Sequence, residues 1–111
     1  MIESRSVGDT RVILLSGRLD SVSAPAAESA IIAEIEAGAT RLALDCSGVA
    51  YVSSAGLRVF LVVAKRIKAL GGRLALASLR PEVREVFAIS GFLQILTTFE
   101  TVDDAVAACS D

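Results

Sequence analysis

The chain has 111 residues, the usual size of one domain, and 53% of them are hydrophobic, enough to bury a sizeable core. Its formal net charge is −2, from 11 basic and 13 acidic residues, which gives no electrostatic case for nucleic acid as the main partner. Histidine is absent, and that excludes Ser-His-Asp and Cys-His catalysis and His-ligated metal sites.

Residues 2–7 and 11–18 read as two strands around the turn Gly8-Asp9, a plausible hairpin signal. In the second strand Val12, Leu14 and Ser16 alternate with Ile13, Leu15 and Gly17. Both faces are apolar, so this strand is expected inside the sheet. Ser21 to Ala24 lead into a first helix, with Pro25 tolerated in its first turn and Gly38 placed to end it. Glu28, Glu34 and Glu36 make that helix acidic. Residues 41–45 are a short buried strand, Arg41-Leu42-Ala43-Leu44-Asp45.

A second helix is predicted from Leu57 to Leu70, stopped by Gly71-Gly72. Residues 73–77 form the next apolar strand. Pro81 opens a third helix through Ile89, closed by Gly91. Residues 94–98 are a short last strand, and Thr101-Val102-Asp103-Asp104 resembles a capping box that opens a helix to Cys109. The order β-β-α-β-α-β-α-β-α predicts one α/β domain over residues 1–111. Its sheet is mixed but mostly parallel, with four to five strands flanked by four helices. With 5% aromatic residues and no Trp, the core is built from Ala, Val, Leu and Ile.

No apolar run approaches the ~20 residues that span a bilayer, so no membrane insertion is expected. The opening Met1-Ile2-Glu3-Ser4-Arg5 lacks an apolar targeting run. Cys46 and Cys109 have no close spacing and read as reduced core-side thiols of a cytoplasmic protein. No phosphate loop of the GxxxxGK[ST] type, acid-base pair or metal cluster is present. The reading is therefore a non-enzyme without metal or cofactor.

At 100° per residue, Val59, Phe60, Val63, Ala64, Ile67 and Leu70 form the core face of the second helix. Arg58, Leu61, Val62, Lys65, Arg66, Lys68 and Ala69 form the other side. All four charges there are positive in a slightly negative chain, and two apolar residues lie among them. This is either a solvated basic face or a docking surface with an apolar centre, and the second reading is favoured.

Ser53 and Ser54 stand where this helix should begin. A serine there can cap the first backbone N–H groups, or carry an anion at the same place. Ser54 is the expected cap, accepting from Gly56 or Leu57. Ala55 and Gly56 leave the first turn uncovered, which suggests that something approaches it closely. A phosphoryl group on Ser54 would add about two negative charges.

The run Asp45-Cys46-Ser47-Gly48-Val49-Ala50-Tyr51-Val52-Ser53-Ser54-Ala55-Gly56-Leu57 resembles the STAS family of anti-sigma-factor antagonists. Gly71-Gly72, Phe87-Ala88-Ile89-Ser90-Gly91-Phe92 and Gly17-Arg18-Leu19-Asp20 extend the likeness over nearly the whole chain. The resemblance implies binding to a cytosolic serine kinase that doubles as an anti-sigma factor. Phosphorylation by that kinase ends the complex, and a serine phosphatase restores it. By position the phosphoacceptor is Ser54, and Asp20 matches the family's acidic loop residue. Ser53 replaces the family's aspartate before the acceptor, which makes it a competing acceptor; Ala55 replaces a second hydroxyl residue. The expected partner contacts are Asp20, Ser53, Gly56, Arg58, Leu61, Val62 and Lys65. The alternative is an adaptor subunit of a lipid-transport or other transporter complex, in which the serine is only a cap and contact residue.

Overall fold

The computed structural model describes residues 2–110. Strands β1 (Ile2–Val7) and β2 (Thr10–Leu19) pair antiparallel across Gly8-Asp9, as the turn residues predict. Helix α1 (Ala24–Glu36) returns the chain to β3 (Arg41–Val52), which pairs parallel with β2. Helix α2 (Ser54–Ala69) leads to β4 (Arg73–Ala77), and α3 (Pro81–Ile89) leads to β5 (Thr98–Phe99). Helix α4 (Val102–Cys109) follows, with the Thr101 hydroxyl accepting from the Asp104 N–H at 3.1 Å. The sheet order is β1-β2-β3-β4-β5, antiparallel only at its first pair. This is the mixed, mostly parallel architecture that the sequence predicts, with β2 inside the sheet.

Side-chain alternation along the strands sorts the core into two layers. Ile13, Leu15, Leu42, Leu44, Cys46 and Leu76 meet α1, α2 and α3 in the larger cluster. There Phe60 of α2 and Phe87 of α3 pack edge to face, with centroids 5.1 Å apart. Val12, Ala43, Ala75 and Ala77 point the other way and carry α4 through Ala105 and Cys109. Small side chains on this second face let one short helix lie close to the sheet. Cys46 and Cys109 are free and buried, and burial pushes both thiols above the usual range. Arg11 of β2 pairs with Glu34 of α1 at 2.7 Å, so part of the acidic side of α1 is spent inside the fold.

Three elements differ from expectation. β3 does not stop at Asp45 but runs to Val52. Two register shifts, between Leu14 and Ser16 and between Gly17 and Arg18, let its extra residues keep pairing with β2. Those bulges break the period-2 pattern, so the continuation is not visible as a strand. Of the predicted strand at residues 94–98, Gln94 ends a 3-10 turn, Phe92–Gln94, residues 95–97 are irregular, and the strand starts only at Thr98. Phe92 accepts from the N–H groups of Ile95 and Leu96, a compact turn that drives Leu96 into the core. Leu70 is not core: it sits at the C-cap of α2 and is 53% exposed.

Thr10 is 1% exposed, and its hydroxyl has no hydrogen-bond partner. A buried orphan hydroxyl costs free energy, and valine has nearly the same shape. Thr10→Val is expected to raise stability by up to about 1 kcal/mol, read as a melting temperature about 4–8 °C higher. An unchanged or lower melting temperature would show that the hydroxyl is satisfied in solution.

Candidate functional site

The carboxyl ends of β2 and β3 lie side by side, and the residues that leave them form one surface. The Ser53 N–H donates to the Leu19 carbonyl at 3.0 Å. This bond places the start of α2 next to the Asp20 loop. In that loop the Asp20 carboxylate accepts from the N–H groups of Val22 and Ser23, at 3.0 and 3.2 Å. Ser23 Oγ in turn accepts from the Asp20 N–H at 3.0 Å and donates to the Arg18 carbonyl at 2.6 Å. The Ser23 and Val22 N–H groups, with a smaller contribution from Arg18, hold the Asp20 carboxyl below its ordinary value of 3.8. A depressed carboxyl stabilises the fold above its unfolded pKa. That contribution is lost as pH falls through the folded value, so this loop loosens only in acid.

The start of α2 corrects the expected division of labour between the two serines. Ser53, not Ser54, is the N-cap, with extended backbone and a side chain that accepts from the Gly56 N–H at 3.3 Å. Ser54 is the first helical residue, and it is exposed. The N–H groups of a helix's first turn have no intrahelical acceptor, and the dipole there favours negative charge. An anion on Ser54 would meet both, with the exposed Arg58 one turn further along. Ser53→Ala is expected to cost about 1 kcal/mol through the lost cap, measured by denaturant unfolding. A cost indistinguishable from zero would mean that Ser53 does not cap in solution.

Gly56 is also corrected. It is buried, and a Cβ there would lie 2.3 Å from the Leu19 carbonyl oxygen. The close approach that explains this glycine is made by the chain's own β2, so Gly56 offers no partner contact. Leu61 and Val62 are half-buried rather than free on the surface. Ser54, Arg58, Leu61 and Lys65 follow one another at helical spacing along the outer ridge of α2. Leu61 and Lys65 also form a wall of a trench far from Asp20.

Sequence reasoning did not single out three neighbours. Val22 projects from the Asp20 loop and is 87% exposed. Tyr51, near the end of β3, is 42% exposed, and the Arg18 guanidinium lies 4.2 Å from its ring centroid. Arg18 Nε also approaches Asp20 Oδ2 at 3.7 Å. A lone valine between two serines ahead of a helix, and the chain's one tyrosine, were the available signals. The site thus combines exposed apolar groups, both signs of charge and an accessible hydroxyl. Among the described residues no cluster of His, Cys, Asp or Glu could hold a metal.

Comparison with known proteins finds relatives in both sequence and fold. The chain is 42% identical over 97 residues to BtrV of Bordetella bronchiseptica, provisionally named an anti-sigma factor antagonist, covering 87% of this chain and 84% of that one. Its fold is similar to the crystal structure of an anti-sigma factor antagonist from Mycobacterium paratuberculosis, with a TM-score of 0.90, 25% identity and coverage of 100% and 94%. It is also similar to the Bacillus cell fate determinant SpoIIAA in its phosphorylated form, with a TM-score of 0.74, 23% identity and coverage of 99% and 100%. The STAS domain family model matches residues 1–105, and so the chain belongs to the STAS domain family.

Proposed function

We propose that this protein is an anti-sigma-factor antagonist, and that phosphorylation of Ser54 switches it off. The unphosphorylated form binds a serine kinase that is also an anti-sigma factor, and the bound sigma factor is released. Phosphate on Ser54 ends that complex, and a serine phosphatase restores it. The work is done in the cytoplasm, by surface contact and without catalysis by this chain.

One observation carries the reading. The cap is made by Ser53, which leaves the Ser54 hydroxyl exposed beside the Asp20 loop. The name of BtrV supports the role, and the phosphorylated SpoIIAA supports the modification. The docking surface begins at Asp20, Val22 and Tyr51 and crosses Ser53, Ser54 and Arg58. From there it runs along the ridge of α2 toward Leu61, Val62 and Lys65.

Incubation with ATP and a candidate anti-sigma-factor serine kinase tests the proposal. The expected result is one added phosphoryl group, located on Ser54 by peptide mass spectrometry and absent from Ser54→Ala. A kinase that binds tightly but never labels Ser54 would remove the switch. Capture of a transporter ATPase in place of the kinase would point to the adaptor role.

A further inference from the structure

The second half of α2 carries a further feature, which begins at Leu61 and Lys65 where the docking ridge ends. A trench of about 640 Å³ runs between the second half of this helix and the segment 95–97. Leu61, Ala64, Ile67, Leu74, Ile95 and Leu96 give it an apolar lining. Leu96 and Ile67 are buried at its base, while Ile95 remains 63% exposed. Lys65 and Lys68 stand at its edge on α2, Arg73 of β4 lines it too, and no acidic residue does. Neither lysine takes part in an ion pair among the described residues. They are three residues apart, so their ammonium groups reach the same patch of space. From Leu61 to Gly71 the trench follows α2 for about 15 Å, and Lys65 lies about 17 Å along the helix from Ser54.

We propose that this trench binds a small amphipathic anion. Its apolar body lies on Leu61, Ile95 and Leu96. Its carboxylate, sulfonate or phosphate head sits between Lys65 and Lys68. The volume falls in the range of small-molecule sites, which pair an apolar lining with a few convergent polar groups. Unpaired ammonium groups beside exposed isoleucine select a ligand that is both apolar and negative. A neutral apolar ligand would leave the charges unused, and a simple anion would leave the lining wet. A single concave patch of this size fits one head and one body better than a long protein segment.

The probe is decanoate, kept below its micellar concentration and titrated into ¹⁵N-labelled protein, with decanol as the uncharged control. Saturable shifts are expected at the amides of residues 61–73 and 95–97, with decanol at least tenfold weaker. Lys65→Gln with Lys68→Gln should weaken decanoate at least tenfold, and Ile95→Asp should do the same from the apolar side. Ser54→Ala should bind decanoate as the parent does. Equal binding of decanol and decanoate, unchanged affinity in the lysine variant, or shifts centred on the α1 side of the fold would each overturn the proposal. So would an acidic amphipathic peptide that shifts these amides when decanoate does not.

Discussion

Ser54→Ala should hold the partner kinase as tightly as the parent protein, whereas Ser54→Asp should bind it about ten- to hundredfold more weakly, a difference of about 1.4–2.7 kcal/mol. The two variants should differ little in stability. Ser54 is exposed and the cap belongs to Ser53, so both changes fall among surface substitutions worth within about 0.5 kcal/mol. Binding differs because a docked partner covers the first turn of α2. A carboxylate placed there must lose water and faces whatever negative charge the partner brings to Arg58 and Lys65. A phosphoryl group carries about two charges where aspartate carries one, so the modified protein should lie at or beyond the weak end of this range. Calorimetric titration of each variant against the purified kinase measures the gap. Equal affinities would mean that the partner does not rest on this turn, and the switch would then have to lie elsewhere. A fall in melting temperature for either variant would instead show that Ser54 carries load in the fold.

Most of the architecture was legible because local chemistry and global fold agree. Gly8-Asp9, Pro25, Gly38, Pro81 and Gly91 punctuate the chain where turns and helix ends occur, and Gly38 and Gly91 take positive φ angles. Apolar runs at residues 41–45 and 73–77 lie where parallel strands are covered on both faces. What stayed hidden depends on tertiary contacts. The bulged second half of β3 has no alternation of its own and is a strand only because β2 pairs with it. The turn at Phe92–Gln94 exists to bury Leu96, which no local propensity announces. At the site, a pair of serines was readable as a helix start, but which hydroxyl turns inward is set by the bond from Ser53 N–H to Leu19. Val22 and Tyr51 were missed for the same reason. Their neighbourhood is made by the Asp20 loop and the end of β3, and the two residues are 29 apart in sequence.

Gly56→Ala is expected to be among the most damaging single-methyl changes available to this chain. Glycine in a helix interior is ordinarily a weakness, and alanine there would add about 1 kcal/mol of helix propensity. Here that gain is outweighed. The added Cβ would stand 2.3 Å from the Leu19 carbonyl oxygen and 3.0 Å from Val52 Cγ1. The first of these is backbone, and it is held by its bond from the Ser53 N–H, so it cannot swing aside as a flexible side chain would. Relief requires α2 to move away from β2, which parts the Asp20 loop from Ser54 and opens the packing of Leu57 and Phe60 beneath. Overpacking of this kind costs about 1–3 kcal/mol and occasionally more. With no compliant neighbour the upper end applies, and a melting temperature lower by about 10–20 °C is expected. The same displacement should weaken the kinase complex, although Gly56 touches no partner. Gly17, where a Cβ would meet nothing within 4 Å but φ is +89°, serves as the control for strain without a clash. If Gly56→Ala melts with the parent and still binds, then α2 does not rest on Leu19 in solution. The juxtaposition of Asp20 and Ser54, on which the docking surface depends, would then have to be redrawn.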